Sequence, residues 1–219
     1  MKKIISLVLC LALGAFVLSG CSGSDEPFEE KNYTPDAQVS EINIDVEDRE
    51  IEVSLSADGQ VHIQYYENSK EYYDISVSGG TLTMTAASDK AWTDYIGVKP
   101  SAENRKISLQ VPDALLENLT LSTTNEDISL PALAVTGSIS ISSNGGDITF
   151  GRLDVGSALN LTVKNGDISG AVTGSYDDFA IQSDVKKGDS SLPESKDGGS
   201  KTLNVSANNG DVDIELVSE

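Results

Sequence analysis

Five aspartates recur at nearly constant spacing in the second half of the chain, and their type and spacing suit two kinds of chemistry. Successive members lie 20, 20, 22 and 22 residues apart. Calcium prefers oxygen ligands of this kind, and glycoside hydrolysis uses paired carboxylates. The five residues are therefore the candidate metal ligands of the chain, and they are Asp127, Asp147, Asp167, Asp189 and Asp211.

Stacked carboxylates repel one another, and the sequence allows two ways to relieve that repulsion. Each aspartate can accept hydrogen bonds from the N–H groups of its own turn, as in an Asx-turn. Alternatively, calcium can lie between the repeats, as it does in nonapeptide repeats with a full glycine pattern. The period here is about twenty and that glycine pattern is missing. We therefore favour the hydrogen-bonded turn, and we predict no metal and no cofactor.

The aspartates are positioned by a repeat that carries paired apolar residues on both sides of each turn. Leu159 and Leu161 precede Asp167, for example, and residues two apart on a strand face the same way. Glycine directly before the aspartate in four of the five repeats supplies the positive φ of a corner. The pattern predicts an all-β chain in which residues 113–219 form a parallel β-solenoid of about five rungs, each of 20–22 residues.

Two further segments complete the predicted domain organisation. Residues 39–112 alternate apolar and polar residues with period two, and residues 57–60 and 78–81 contain glycine. We predict antiparallel β-strands joined by hairpin turns at these two places, packed before the solenoid so that residues 39–219 form one continuous domain. The fourth repeat is irregular, because Ser183 and Ser190 replace apolar residues.

The N-terminus has the pattern of an export signal. Lys2 and Lys3 precede a short apolar run, and Leu-Ser-Gly-Cys follows at residues 18–21. We predict a cleaved signal peptide over residues 1–20. The tetrad resembles the lipobox of bacterial lipoproteins, which implies cleavage between Gly20 and Cys21 and lipidation of Cys21 with palmitate-type chains. Residues 21–38 are predicted as a flexible tether because they are rich in Gly, Ser, Pro and acidic residues.

The charge of the chain argues against some partners. The full sequence has 15 basic and 35 acidic residues, a formal net charge of −20. Without the two lysines of the signal peptide, 13 basic residues remain and the mature chain carries −22. We predict no nucleic-acid partner, because phosphates require lysine and arginine.

Aromatic residues in the N-terminal half form the candidate binding surface. Aromatic faces bind sugars and partner proteins, although capping of the first rung is an alternative role. Strand alternation turns Tyr65 and Tyr73 inward. The candidate surface residues are Tyr66, Tyr72, Trp92 and Tyr95.

Catalytic chemistry has little support in the sequence. A Ser-His-Asp or Cys-His site needs an imidazole, and His62 is the one histidine of the chain. It alternates onto the polar side of its strand, and no Gly-x-Ser-x-Gly motif surrounds a serine. We predict no catalytic residues.

Several short motifs together resemble a known family. They are Thr-Leu-Thr-Met at residues 81–84, Ile-Ser-Leu-Gln-Val-Pro at 107–112, Leu-Thr-Leu at 119–121 and the recurrent Asn-Gly-Asp-Ile turns. They resemble the bacterial envelope family labelled putative adhesin, over roughly residues 42–216. The resemblance implies a β-solenoid domain of unknown function without catalytic residues.

These observations combine into one expectation with two alternatives. We expect a non-catalytic lipoprotein, anchored on the extracytoplasmic side of the cell membrane or outer membrane, that binds an envelope protein or a glycan. The alternatives are a polysaccharide-active β-helix enzyme and a calcium-dependent structural module. The sequence leaves the oligomeric state open.

Overall fold

The computed structural model describes residues 26–88 and 100–218, and within these ranges the chain is built almost entirely of β-strands. No helix among the described residues is long and apolar enough to cross a membrane. The described ranges contain two single-turn 3-10 helices, Glu103–Arg105 and Tyr176–Asp178. The strands are β1 (Glu29–Tyr33), β2 (Glu41–Asp45), β3 (Glu50–Leu55), β4 (His62–Glu67), β5 (Glu71–Ser78), β6 (Thr81–Ser88), β7 (Lys106–Val111), β8 (Asn118–Thr123), β9 (Ile128–Leu130), β10 (Leu133–Val135), β11 (Ser138–Ser143), β12 (Ile148–Val155), β13 (Ala158–Asn165), β14 (Ile168–Thr173), β15 (Phe179–Val185), β16 (Ser195–Lys196), β17 (Lys201–Asn209) and β18 (Val212–Val217).

The strands of the described residues form two mixed sheets of nine strands each. The first has the order β1-β4-β7-β3-β9-β12-β14-β18, with β10 paired to β12. The second has the order β16-β15-β17-β13-β11-β8-β2-β6-β5. The first, second, third and fifth repeats contribute strands to both sheets, whereas the fourth contributes β15 and β16 to the second sheet and only an isolated bridge, Ser190 with Val212, to the first. The predicted all-β class is therefore correct.

Apolar residues at equivalent positions of the repeats lie side by side inside the stack. In the parallel pairs β8–β11 and β11–β13, Leu119 faces Ile139 and Ile139 faces Leu159. All three side chains are fully buried. Burial of each such side chain contributes about 1.5–3 kcal/mol, so this interior column is a major source of stability.

Spatial order differs from sequence order at the end of the stack. Strand β17, from the fifth repeat, lies between β13 of the third repeat and β15 of the fourth. Its inward residues Leu203, Val205 and Ala207 are all apolar and buried. Strand β15 carries Ser183 at the corresponding inward position, opposite Val205. The more polar repeat therefore occupies the terminal position, where a capping repeat meets solvent on one side.

The predicted antiparallel N-terminal region is correct only in part. Strand β4 runs antiparallel to β1 and β7, and β5 runs antiparallel to β6. Strands β2 and β3, however, pair in parallel with β6 and β8 and with β7 and β9. The prediction is wrong for these two strands, because they continue the parallel stack toward the N-terminus.

One predicted hairpin and much of the predicted tether are also wrong. Residues 78–81 form the expected hairpin between β5 and β6. Residues 57–60 do not, because β7 lies between β3 and β4 in the sheet. Within the predicted tether, residues 29–33 form β1, which pairs with β4 over five residues. The predicted signal peptide and Cys21 lie outside the described residues.

Glycines before the aspartates permit a close approach between neighbouring repeats. Gly166 and Gly210 have φ values of 155° and 143°. A Cβ atom added to Gly210 would lie 1.9 Å from the carbonyl oxygen of Gly166, and one added to Gly166 would lie 2.4 Å from that of Gly146. Both the backbone angle and the contact with the next turn exclude a side chain here.

Replacement of Gly210 by alanine tests this packing. We expect Gly210→Ala to lower the free energy of unfolding by about 2–4 kcal/mol, because it combines an unfavourable φ with a backbone clash. Gly198→Ala is the matched control, since Gly198 also has positive φ, 88°, but no atom lies within 4 Å of its added Cβ. Urea unfolding of the full chain measures both. Equal losses in the two variants would contradict the close-approach explanation.

Candidate functional site

The five repeated aspartates form a continuous hydrogen-bonded file, which we call the aspartate ladder. Oδ1 of Asp127 accepts the backbone N–H of Asp147 at 2.8 Å, and Oδ1 of Asp147 accepts that of Asp167 at 2.8 Å. Asp167 accepts the N–H of Asp211, and Asp211 accepts that of Asp189, both at 2.8 Å. The file therefore follows the spatial order of the repeats.

The local sequence explains why the carboxylates reach these N–H groups. The residue after each aspartate in the first three repeats, Ile128, Ile148 and Ile168, is fully buried, which turns the aspartate itself outward. The preceding glycines bring consecutive turns close together. Four of the carboxylates then lie against the backbone of the neighbouring repeat, and each satisfies an N–H group that would otherwise depend on water.

The predicted hydrogen-bonded turn is correct in kind, but the predicted partner is wrong. Four of the five carboxylates, all but that of Asp189, accept an N–H from the next repeat in the stack, and not from their own turn as in an Asx-turn. The reason is the distance between stacked turns, which places the next backbone N–H within reach of Oδ1. No group of three or more His, Cys, Asp or Glu residues that could hold a metal occurs in the described part of the chain.

The corner before the first repeat contains a further acid that sequence reasoning missed. Asp48 has a positive φ of 52°. Its backbone N–H donates to Oγ1 of Thr124 at 2.8 Å, and its Oδ1 accepts from Nδ2 of Asn125 at 2.6 Å. Asp48 therefore joins the N-terminal strands to the first repeat at the same edge as the ladder.

A buried ion pair lies next to that corner. The Arg49 residue is only 5% exposed. Its Nη2 donates to Oε2 of Glu71 at 2.7 Å, and its Nε donates to Oη of Tyr73 at 2.6 Å. Burial raises the pKa of Tyr73, with an opposing effect from Arg49. Arg49 donates to both Glu71 and Tyr73. We therefore assign a structural role to this cluster, which attaches β5 to the corner.

Thr34, His62 and Asp58 form a hydroxyl–imidazole–carboxylate row at the surface. Thr34 Oγ1 lies 2.8 Å from His62 Nδ1, and His62 Nε2 lies 3.0 Å from both carboxylate oxygens of Asp58. The backbone N–H of Gln60, followed by His62, lowers the pKa of Asp58. The His62 and Asp58 side chains are 32% and 52% exposed. In this solvated setting the row joins the end of β1 to the 58–60 turn, and it lacks the buried, oriented carboxylate of a hydrolase triad.

A shallow groove lies beside this row. Its volume is about 310 Å³, and its walls are the 35–39 segment and the 59–61 turn. Pro112 and Leu115 also line it, and Leu115 is 63% exposed. This volume is at the lower limit of small-molecule sites. The groove therefore suits a short contact with a larger partner better than enclosure of a substrate.

The predicted aromatic surface is only partly described. Tyr65 is buried and meets Tyr73 edge-on with ring centroids 5.3 Å apart, which confirms the inward orientation of both residues. Tyr66 is partly exposed on β4 and donates from Oη to Glu30 Oε2 at 3.1 Å. Tyr72 is partly exposed on β5. Trp92 and Tyr95, like Gly20 and Cys21, lie outside the described residues.

Comparison with known proteins identifies the fold. A family model described as Toastrack DUF4097 matches residues 39–217. A putative cell adhesion protein from Clostridium sporogenes aligns at 11% identity over 86% of this chain and 100% of that chain, with a TM-score of 0.57. A putative adhesin from Bacteroides fragilis aligns at 14% identity over 88% and 98% of the two chains, with a TM-score of 0.35. No curated protein matches the sequence.

The aspartate ladder yields a direct prediction. We expect Asp167→Ala to lower the free energy of unfolding by about 0.5–1.5 kcal/mol, because the N–H of Asp211 loses its acceptor at an exposed site. Asp167→Asn keeps an Oδ1 acceptor and should lose less.

The last member of the ladder supplies the control. Within the described structure, no hydrogen bond to the carboxylate of Asp189 is found, so Asp189→Ala should have the smallest effect of the three variants. Thermal and urea unfolding of the full chain measure the series. An equal loss for Asp167→Ala and Asp189→Ala would contradict the inter-repeat role of the carboxylate.

Proposed function

The chain belongs to the Toastrack DUF4097 family, and we propose that it is a non-catalytic, lipid-anchored binding module of the bacterial envelope. The family match confirms the resemblance noted from the short motifs in the sequence. The observation that carries the proposal is the aspartate ladder. In the described part of the chain, four of the five repeated carboxylates are engaged in hydrogen bonds that hold neighbouring repeats together.

We propose further that the second half of the chain is a parallel β-solenoid of about five rungs. Parallel pairing of β8, β11, β13, β17 and β15 supports this description for one sheet. Parallel pairing of β9, β12, β14 and β18 supports it for the other. Such a stack presents a rigid, elongated surface, which suits adhesion or scaffolding.

We propose the lipid anchor from the lipobox-like residues 18–21. The structure limits how far the folded domain can lie from that anchor. Glu26 already contacts the folded domain, because its carbonyl oxygen accepts from Asn68 Nδ2 at 3.3 Å and its Oε2 accepts from the N–H of Ser69 at 3.3 Å. Five residue steps separate Cys21 from Glu26 and span at most about 17 Å. A lipidated Cys21 would therefore hold the β4–β5 turn close to the membrane surface.

Negative charge opposes direct contact between this end of the domain and the lipid surface. Glu26, Glu29 and Glu30 lie at or next to the membrane-proximal end and would be repelled by anionic headgroups. The domain would then stand away from the membrane as far as the short tether allows. That arrangement leaves the partly exposed aromatics of β4 and β5 accessible to an envelope glycan or protein. The description of the Clostridium neighbour as a putative cell adhesion protein is compatible with this role.

Replacement of Cys21 tests the anchor. We expect Cys21→Ser to abolish labelling by an alkyne analogue of palmitate and to block removal of residues 1–20, because the thiol that receives the lipid is missing. Labelling followed by gel mobility measures both effects in cells. Ser22→Ala is the matched control and should leave labelling unchanged. Persistent labelling of the Cys21→Ser chain would exclude lipidation at this residue.

A binding experiment tests the module itself. The full lipidated chain is reconstituted in neutral phosphatidylcholine vesicles and mixed with purified cell-wall polysaccharide as the probe. We expect the vesicles to sediment with the polysaccharide, and we expect Tyr66→Ala and Tyr72→Ala to reduce this binding several-fold, as loss of an aromatic contact does.

Tyr176→Ala is the control for the aromatic contacts, because Tyr176 is 50% exposed but lies in the fourth repeat at the other end of the stack. Binding that Tyr176→Ala reduces as much as Tyr66→Ala would contradict a site on β4 and β5. Vesicles that bind no polysaccharide at all would contradict the glycan-binding role and favour a passive structural one.

A further inference from the structure

The edge strands of the two sheets differ in how they are protected against pairing with a strand of another chain. In the part of the chain that the structure describes, the main strand orders of the two sheets end at β1, β18, β16 and β5. Strand β1 carries the charged residues Glu29, Glu30 and Lys31. At the edge of β18, the Ser191 hydroxyl accepts the N–H of Ile214 at 2.8 Å and donates to its carbonyl oxygen at 3.0 Å. Strand β16 has only two residues. Strand β5 has eight residues and, among the described residues, none of these three kinds of protection against pairing with another chain.

The hairpin between β5 and β6 determines which backbone groups of β5 point outward. Gly79 and Gly80 have φ values of 62° and 88° and form a two-residue turn between the paired residues Ser78 and Thr81. From this turn onward, alternate residues of β5 direct their N–H and C=O groups toward β6. The intervening residues Tyr73, Ile75 and Val77 direct theirs toward the open edge. The carbonyl of Glu71 follows the same alternation, since it bonds the N–H of Asn68 in the adjacent turn and not β6.

The side chains of β5 also suit association with another strand. Tyr73, Ile75 and Val77 pack against the core but remain partly exposed at this end of the stack. Between residues 72 and 78 there is one charge, Asp74, and no proline. An exposed strand of this composition is an effective template for strand addition.

We propose that β5 is a self-association surface, on which β5 of a second copy of this chain pairs antiparallel about a two-fold axis at Ile75. In this register Ile75 faces the partner's Ile75, and Tyr73 faces the partner's Val77. All three outward residues of each copy are then paired, which forms about six backbone hydrogen bonds and one continuous sheet across both copies.

Charge selects this register and argues for a second copy as the occupant. A shift that centres the axis on Asp74 would place two carboxylates opposite each other, which is destabilising. A shift that centres it on Ser76 would leave Tyr73 opposite the partner's Gly79. In the proposed register Asp74 faces the partner's Ser76, whose hydroxyl can donate to the carboxylate. The strand is therefore complementary to itself in both backbone and side-chain chemistry.

Two substitutions of Ser76 test the register, because they are expected to change the dimer Kd in opposite directions. The full chain in non-ionic detergent is measured by sedimentation equilibrium, and we expect a monomer–dimer equilibrium. Ser76→Asp places a carboxylate opposite the partner's Asp74 at two symmetric positions and should raise the Kd roughly 2- to 30-fold. Ser76→Lys creates attractive pairs at the same positions and should lower it. Added salt should lower the Kd of the native chain, because both copies are acidic.

Matched controls and a second measurement keep the test specific. Ser200→Asp and Ser200→Lys make the same charge changes at the other end of the stack and should leave the Kd unchanged. Amide exchange at Tyr73, Ile75 and Val77 should slow as the concentration rises through the Kd. A chain that stays monomeric, a dimer whose β5 amides exchange at the monomer rate, or equal responses to Ser76→Asp and Ser76→Lys would each overturn the proposal. So would capture of a different chain at β5 in place of a second copy.

Discussion

The distance between neighbouring turns is the constraint on which the rest of the structure depends. Parallel strands lie about 4.8 Å apart, so the corners that join them stack at the same spacing. At Gly166 and Gly210 this spacing leaves no room for a Cβ atom. The same spacing places the N–H of one aspartate beside Oδ1 of the previous one. Glycine and aspartate therefore act together, because the first permits the approach and the second uses it for a hydrogen bond between repeats.

The apolar content of the inward-facing residues then explains the order of the repeats in space. The fifth repeat offers Leu203, Val205 and Ala207 to the core, whereas the fourth offers Ser183 at the position opposite Val205. The more apolar strand takes the position with neighbours on both sides. The fourth repeat can occupy the end because its polar inward residue is compensated there, through contact of the Ser183 hydroxyl with that of Ser190 at 3.2 Å. An apparent defect in the sequence repeat is thus suited to its terminal location.

Most of the architecture could be predicted from the sequence because it follows from periodicity. Apolar pairs two residues apart identified the inward faces, and the Gly-Asp spacing identified the corners. The parallel pairing of β2 and β3 could not be predicted, because alternation with period two is the same in parallel and antiparallel strands. The partner of each ladder carboxylate and the buried Arg49–Glu71 pair were also missed. Both depend on contacts between residues distant in sequence, such as the 44 residues between Asp167 and Asp211.

The same constraint separates the sides of the stack from its ends. Along the sides, neighbouring repeats satisfy one another through backbone pairing and ladders, so the exposed groups there are already engaged. At the ends a strand has a neighbour on one side only, and further contacts lie there. Ser191 bonds to β18, the short β16 pairs with β15, and Thr34, directly after β1, contacts His62. Within residues 26–88 and 100–218, strand β5 has the Arg49–Glu71 ion pair beside it and pairs with β6 alone, so Tyr73, Ile75 and Val77 have no strand partner on the outer side. New contacts formed at an end can pair with backbone groups that have no strand partner among the described residues, whereas contacts on a side must compete with bonds already made. Recognition by this protein is therefore expected at the N-terminal end of the stack, and not along the repeats that dominate its sequence.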